Sequence, residues 1–242
     1  MMRLLLAFTT VVGLAGAGWM GADAMRTEPG ITSAAYGDED SGQLSPKRLI
    51  IGLDISLSNP LIADPNFAAK AARRIGGMVG EMGFASEVHV RTFGSYDASQ
   101  NPFYYDTLLS RRARPEEVEA EIEKLISGIP TLVSRGRFHP QRRTNIIGFL
   151  DNVRESIGCR GMPTTIVLAS DGIEDSEYAR LDDPDDHLPL PEGRPFRGCA
   201  DLQILGVGQG THSPKKAARL RREWSLWAEA AGFQQFSGLN DW

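Results

Sequence analysis

A carboxylate and two hydroxyls follow an apolar run in the first quarter of the chain. Asp54 comes directly after LIIGL, and Ser56 and Ser58 occupy alternate positions after it. The apolar residues between them, Ile55 and Leu57, are expected to pack on the opposite side, as strand alternation requires. Further along, Thr144 lies at a predicted helix start and Asp171 follows a second apolar run, TTIVLAS. These side chains offer oxygen ligands, with no imidazole or thiolate among them, and oxygen-only sets suit hard cations such as Mg²⁺. The pattern therefore predicts a divalent-cation site, provided that the fold brings the five residues together.

The elements that must position these residues alternate along the chain. Three continuous apolar runs predict buried strands, and one alternating run predicts a half-exposed strand near a sheet edge: Leu49–Leu53, Thr164–Ala169, Leu202–Val207 and Glu87–Phe93. Helical spacing and start signals predict four helices: Asn66–Met82, Pro115–Ser127, Thr144–Ile157 and one from Ser213-Pro214 to about Ala231. Strands separated by helices predict an α/β fold, a doubly wound and mostly parallel central sheet flanked by helices. Such sheets bind ligands at the carboxyl ends of their strands, where Asp54 and Asp171 lie.

In this order the residues resemble the von Willebrand factor type A (vWA) family and its metal-ion-dependent adhesion site. That site combines Asp-x-Ser-x-Ser, a distant Thr and an Asp-Gly after a strand, and the matching pieces here are DISLS, Thr144 and SDG. The resemblance implies that Ser56 and Ser58 coordinate the cation directly. It implies that Thr144 does so directly or through water, and that Asp54 and Asp171 act mostly through water. It also implies a protein partner whose acidic side chain completes the coordination of Mg²⁺, or of Mn²⁺ or Ca²⁺.

Two features depart from the family pattern. Extra material around Asp97–Tyr105 and Ser134–Arg143 makes the gap between Ser58 and Thr144 long. Thr107 and Thr131 are the alternative threonines, but no helix start follows either of them. An acidic insertion at 174–193 follows Asp171, and we interpret it as a solvated surface loop. A second cation-binding loop at Asp182–Asp186 is the alternative interpretation of this insertion.

The N-terminal part of the sequence predicts export. Residues 1–24 read as a signal peptide, with Arg3, an apolar stretch and a small-x-small end at Ala22-Asp23-Ala24. Residues 4–22 carry no charge, so an uncleaved membrane tether is the alternative. Residues 25–46 read as a flexible polar linker, and residues 47–242 as the vWA-like domain. The protein is therefore expected to be periplasmic or secreted, or else membrane-anchored.

The number of cysteines and the net charge further limit the kinds of protein and partner that the sequence is compatible with. The chain has two cysteines, Cys159 and Cys199, each a few residues before a predicted strand. In an exported protein this predicts one disulfide at a shared sheet edge, with two buried thiols as the alternative. The net charge of −5 gives no reason to expect a nucleic-acid partner. Basic clusters such as Arg135–Arg143 are interpreted as solvated faces.

Together these patterns predict an exported, cation-dependent protein-binding domain rather than an enzyme. One alternative is a metal-assisted hydrolase that uses the same pocket, but its general base or nucleophile would have to be Asp54 or Asp171. Another is a degenerate vWA module that binds partners without metal. The LGVGQG segment is interpreted as a tight strand-to-helix turn, because it is not a complete dinucleotide-binding motif.

Overall fold

The computed structural model describes residues 44–95, 103–211 and 213–242. The strands are β1 (Arg48–Asp54), β2 (Glu87–Phe93), β3 (Tyr104–Leu108), β4 (Thr164–Ala169), β5 (Asp201–Leu205) and β6 (Gln235–Leu239). The helices are α1 (Pro65–Gly80), α2 (Pro115–Ser134), α3 (Ile146–Ser156) and α4 (Pro214–Ala231), with a short 3-10 turn at Pro60–Ile62. The predicted signal peptide and all but the last residues of the predicted linker lie outside the described residues. Within the described ranges, no helix has the length and apolar character needed to cross a membrane.

The six strands form one sheet in the order β3-β2-β1-β4-β5-β6. Strand β3 is antiparallel to β2, and all other neighbours are parallel. This order is typical of doubly wound α/β sheets, so the predicted fold class is confirmed. Strand β1 is central, because Leu53 is aligned with Thr92 of β2 on one side and with Ala169 of β4 on the other. The carboxyl ends of β1 and β4 therefore meet at the same edge of the sheet.

Both faces of the sheet are covered by helices. Because successive strand residues point to opposite faces, neighbouring residues of β1 enter different cores. Ile51 packs on one side with residues of α1 and α2 such as Ile75 and Ile122. Ile50 packs on the other side with residues of α3 and α4 such as Leu150 and Trp224. The continuous apolar run of β1 is thus explained by burial on both sides.

Two strands of the structure, β3 and β6, are not predicted from the sequence. Strand β3 lies partly within the segment around Asp97–Tyr105 that we interpreted as extra material, and β6 is a mixed polar and apolar segment, QFSGL. Both are edge strands, and such strands depend on pairing with a neighbour more than on an apolar pattern of their own. The interpretation of β2 as edge-proximal is correct, since β3 pairs with its outer side. The expectation that β2 is half-exposed is wrong, because five of its seven residues are buried and none is exposed.

Helix bounds differ from the expectations in two places that matter. Helix α2 continues through Pro130 to Ser134, because burial of Ile126 and Ile129 on the core side offsets the hydrogen bond lost at the proline. Helix α3 begins at Ile146 and not at Thr144. Its N-cap is Asn145, whose Oδ1 accepts a 2.7 Å hydrogen bond from the Gly148 N–H. Thr144 is therefore in the segment just before the helix.

The predicted disulfide is present. Cys159 and Cys199 are bonded, with a Cα–Cα distance of 5.1 Å. They precede β4 and β5, which are parallel neighbours, so both lie at the amino-terminal edge of the sheet as expected. The bond connects the loop before β4 to the end of the long segment between β4 and β5, at the edge opposite the candidate site.

Candidate cation site

Asp54 is the last residue of β1 and is fully buried. Its Oδ1 accepts a 2.8 Å hydrogen bond from the Ser56 N–H, and its Oδ2 accepts one of 2.7 Å from the Ser170 hydroxyl. The Ser56 and Ser58 hydroxyl oxygens are 3.3 Å apart, with Ser56 buried and Ser58 exposed. The carboxylate therefore shapes the loop that brings two hydroxyls side by side.

Asn59 fixes this loop at the junction of two strands. Its Nδ2 donates hydrogen bonds to the backbone oxygens of Asp54 (2.7 Å) and Ala169 (3.0 Å), which end β1 and β4. The Asn59 N–H donates to the Ser56 oxygen at 3.2 Å, which turns the chain. A buried amide that bridges two strand ends leaves the loop little freedom. Sequence reasoning missed Asn59, which shows no signal beyond its place after the DISLS motif.

The apolar positions of the loop do not both pack inward. The alternation expected of a strand placed Ile55 and Leu57 together on a buried side, and Ile55 is indeed buried. Leu57 is 60% exposed, so that part of the prediction is wrong. The chain turns after Asp54 instead of continuing as a strand, and the two-residue period no longer applies there. A large apolar side chain therefore lies exposed between the two hydroxyl-bearing residues.

Asp171 lies two residues beyond the end of β4 and is buried. Its Oδ1 accepts a 2.9 Å hydrogen bond from the Ile173 N–H, whereas its buried Oδ2 has no hydrogen-bond partner among the described residues. Gly172 has a φ of 72°, a conformation that favours glycine, and its oxygen accepts a 2.8 Å bond from Trp224 Nε1. The turn that carries Asp171 is thus anchored on α4, and one carboxylate oxygen remains available.

Thr144 is buried beside the same loop. Leu57 N–H donates to the Gln141 oxygen at 2.8 Å and Gln141 N–H donates to the Ile55 oxygen at 2.9 Å, which aligns the segment before α3 with the DISLS loop. Thr144 itself exchanges two backbone hydrogen bonds with Asp175, of 3.3 and 2.9 Å. Thr144 is therefore held between the DISLS loop and the segment that follows Asp171. The alternatives lie elsewhere, Thr107 within β3 and Thr131 within α2.

Glu174 is a third buried carboxylate at this edge, although its acidic stretch predicts a solvated loop. It is fully buried, and its Oε2 accepts hydrogen bonds from the first N–H groups of α3, those of Ile146 (2.8 Å) and Ile147 (3.3 Å). The Ser176 hydroxyl donates to its Oε1. Leu181 and Leu188 of the same insertion are buried as well. The insertion therefore packs on the domain, and its Glu174 carboxyl group accepts hydrogen bonds at the start of α3.

In the Asp182–Asp186 segment, the alternative cation loop, the carboxylates of Asp182 and Asp186 contact protein groups. Asp182 pairs with Lys216, and Asp186 accepts 2.8 Å hydrogen bonds from the N–H groups of Arg180 and His187. Across the described ranges, no group of three or more His, Cys, Asp and Glu side chains is arranged to hold a metal. The set at the sheet edge differs from such a group, since it combines two carboxylates with hydroxyls.

Burial raises the pKa of each of the three carboxyls. Desolvation, followed by the charge of Asp171, raises the pKa of Asp54 to about 7, although hydrogen bonds from Ser170 and Ser56 oppose the shift. Desolvation raises the pKa of Asp171 to about 6, partly offset by the backbone of Ile173 and by the nearby Ser58 hydroxyl, which makes no hydrogen bond of normal geometry to it. Desolvation also raises the pKa of Glu174 to about 8. The ionised forms are therefore costly in this region.

These features fit a divalent cation. The Asp171 Oδ2 is buried without a partner, and a cation or its bound water would satisfy it. A nearby divalent charge also stabilises ionised carboxylates whose pKa is raised by burial. The oxygens of Ser56, Ser58 and Thr144 are hard ligands of the kind that Mg²⁺ takes.

The strand order, the antiparallel edge strand and the two helical layers define a doubly wound α/β fold. No protein-family model matches the sequence, and no curated protein matches it. Solved structures of similar fold include an aerotolerance-related membrane protein from Bacteroides fragilis NCTC 9343, which is 15% identical, with 80% of this chain and 91% of that chain covered and a TM-score of 0.45. Manganese-loaded TRAP protein from Plasmodium vivax is 16% identical over 77% of this chain and 70% of its own, with a TM-score of 0.43. The human COPII-coat protein Sec24c is 13% identical over 81% and 30%, with a TM-score of 0.46. At these identities the likeness concerns the fold and not the function.

Proposed function

We propose that this chain is an exported domain that binds a protein partner through a divalent cation, Mg²⁺ or alternatively Mn²⁺ or Ca²⁺. The observation that carries the proposal is the meeting of the DISLS loop, Thr144 and Asp171 at one edge of the sheet, where Asp171 Oδ2 is buried without a partner. In this proposal the hydroxyls of Ser56, Ser58 and Thr144 hold the cation. Asp54 and Asp171 supply negative charge around it.

A partner carboxylate would complete the coordination of the cation. Ser58 and Leu57 are both exposed, so a macromolecule can approach the loop from solvent. Two of the described histidines pair with carboxylates, His89 with Asp106 of β3 and His187 with Glu223 of α4. Hydrolysis in the same pocket, the alternative function, would need a general base or nucleophile near the metal.

Export is the second part of the proposal. The Cys159–Cys199 disulfide supports it, because disulfides form and persist mainly in oxidising compartments. The signal-peptide pattern of residues 1–24 points in the same direction. Fusion of residues 1–24 to a reporter that is active only after export, with Arg3 and the apolar stretch altered in a control, tests this part. Equal reporter activity of both fusions would remove the support that the leader gives.

Calorimetric titration of the purified protein with MgCl₂ and MnCl₂ tests cation binding. We expect saturable binding in the wild type and its loss in an Asp54→Ala, Ser56→Ala double variant. Ser127→Ala, an exposed position on α2, serves as the matched control and should bind as the wild type does. Equal cation binding by the double variant and the wild type would place the cation elsewhere and end the proposal.

A further inference from the structure

The first turn of α4 lies beside the turn that carries Asp171. The Gly208 N–H donates a 2.8 Å hydrogen bond to the Asp171 backbone oxygen. Gly208 in turn packs closely on α4, because a Cβ atom at Gly208 would lie only 2.5 Å from the Cβ atom of Ala217. Lys216, which precedes Ala217, is the third residue of the helix. The start of α4 therefore places a lysine close to the candidate site.

Lys216 carries a charge that the start of a helix disfavours. The first N–H groups of a helix form its positive end, where anions are stabilised and cations are not. The first turn of α4 contains no acidic residue that would offset this effect. A carboxylate that neutralises Lys216 must therefore come from another segment of the chain.

The acidic insertion supplies this carboxylate. Lys216 Nζ donates a hydrogen bond to Asp182 Oδ1, and the lysine side chain is 24% exposed whereas that of Asp182 is 80% exposed. Arg219 donates hydrogen bonds to the backbone oxygens of Leu181 and Asp186, which fixes the segment around Asp182 on α4. The insertion is thus held where one of its carboxylates pairs with the lysine.

Both members of this ion pair act on Asp171. Burial raises the pKa of Asp171, and among the nearby charges Lys216 lowers that pKa and Asp182 raises it. An ammonium group that stabilises the ionised Asp171 also opposes a divalent cation at the same carboxylate, because like charges repel. Lys216 is therefore a competitor of the cation, and Asp182 attracts this competitor.

We propose that Asp182 sets the cation affinity of the candidate site by holding the Lys216 ammonium group away from Asp171. While the pair is formed, the lysine charge near the cation is largely neutralised. When the pair is broken, the lysine is free to turn toward Asp171, and it weakens cation binding. The inference rests on the proposed function and deepens it, because it gives the acidic insertion a role in regulating the same site.

A double-mutant cycle tests this role. Mg²⁺ affinity is measured by calorimetry at low ionic strength for the wild type, Asp182→Asn, Lys216→Met and the variant that carries both substitutions. Asp182→Glu keeps a carboxylate for the lysine and is the conservative replacement. Asp183→Asn and Lys215→Met, exposed neighbours with the same charges, are the matched controls. The Tm of each variant in EDTA shows whether it folds as the wild type does.

We expect Asp182→Asn to bind Mg²⁺ about fivefold more weakly than the wild type, and Lys216→Met to bind it about threefold more tightly. In the Lys216→Met background, Asp182→Asn should change the affinity by less than about twofold, because the aspartate acts through the lysine. Asp182→Glu and the two controls should match the wild type.

The possible failures are distinguishable. Unchanged Mg²⁺ affinity of Asp182→Asn overturns the inference and leaves the proposed function standing. Equal weakening by Asp182→Asn with and without Lys216 does the same, since the aspartate would then act by its own charge alone. Absence of saturable Mg²⁺ binding in both the wild type and Lys216→Met ends the proposed function and this inference with it.

Discussion

The Ser170 hydroxyl donates a 2.7 Å hydrogen bond to Asp54 Oδ2, which ties the turn after β4 to the end of β1. The other Asp54 oxygen already accepts the Ser56 N–H. Both oxygens of this carboxylate are therefore engaged in shaping the site. Asp171 differs, because only its Oδ1 has a hydrogen-bond partner among the described residues. The two aspartates are alike in sequence context but differ in what they can offer to a cation.

Asp171→Asn is expected to separate cation binding from stability. The variant keeps an oxygen that accepts the Ile173 N–H, but it removes a buried charge whose ionised form is disfavoured. We expect at least a tenfold loss of Mg²⁺ affinity by calorimetry. The Tm in EDTA at about pH 7.5 should be equal to or above that of the wild type.

Asp185→Asn provides the matched control for that variant. Asp185 is exposed and belongs to the acidic segment that was the alternative cation loop. Its replacement should leave Mg²⁺ affinity unchanged. The assignment of Asp171 fails if Asp171→Asn binds Mg²⁺ with the affinity of the wild type, and the Asp182–Asp186 segment gains support if Asp185→Asn weakens binding.

The stability of the cation-free protein is expected to fall as pH rises. The folded-state pKa values of Asp54, Asp171 and Glu174 are raised to about 7, 6 and 8, above those of unfolded carboxyls. Between about pH 4 and pH 8 the folded state therefore holds more protons than the unfolded state, and the free energy of unfolding decreases with pH. Carboxyls with lowered pKa, such as those of Asp182 and Glu87, lose their contribution only at lower pH.

Thermal unfolding in EDTA from about pH 5 to about pH 8 should show a decrease of several degrees in Tm. Saturating Mg²⁺ should raise the Tm more at the upper end of this range than at the lower end, since a cation binds the ionised carboxylates. An Asp54→Asn, Asp171→Asn variant should show a shallower slope. A Tm in EDTA that is constant or increases with pH would contradict the raised pKa values.

The strands and helices that form the core could be predicted from the sequence, because burial on both sides of a sheet leaves a continuous apolar run such as that of β1. The order of the candidate site residues was also visible, since Asp54 and Asp171 each follow such a run. Strands β3 and β6 were not predicted. Their residues are partly exposed, and their place in the sheet depends on the hydrogen bonds that β2 and β5 offer.

Glu174 and Leu57 show a second limit of prediction from sequence. A glutamate in an acidic stretch gives no local sign that it is buried. The N–H groups that donate hydrogen bonds to the Glu174 carboxyl belong to α3, almost thirty positions earlier in the chain. Leu57 follows the alternation of a strand but lies in a turn closed by Asn59. Both misassignments arise where tertiary contacts override the local pattern. Ser170 was missed for the same reason, although it stands inside the ASDG motif.

Removal of the disulfide is expected to reduce stability without affecting the site. Cys159 and Cys199 are separated by 40 positions, and loss of a bond that closes a loop of this size typically costs about 2–4 kcal/mol. A Cys159→Ser, Cys199→Ser variant should show a lower denaturation midpoint than the oxidised wild type. Its Mg²⁺ affinity should be nearly unchanged, because the bond lies at the opposite edge of the sheet. Equal midpoints for variant and wild type would show that the bond contributes little.

Glu174 is expected to position Thr144 through the start of α3. Glu174→Ala leaves the N–H groups of Ile146 and Ile147 without their acceptor, which should cost about 2 kcal/mol and weaken Mg²⁺ binding. Glu174→Gln keeps an oxygen for these N–H groups and replaces a carboxyl whose ionised form burial disfavours, so its Tm and Mg²⁺ affinity should remain near those of the wild type. Glu155→Ala, an exposed position on α3, controls for the loss of a carboxylate from this part of the chain. If the Ala and Gln variants lose stability and affinity equally, the negative charge itself is required, and the role of Glu174 is electrostatic rather than positional.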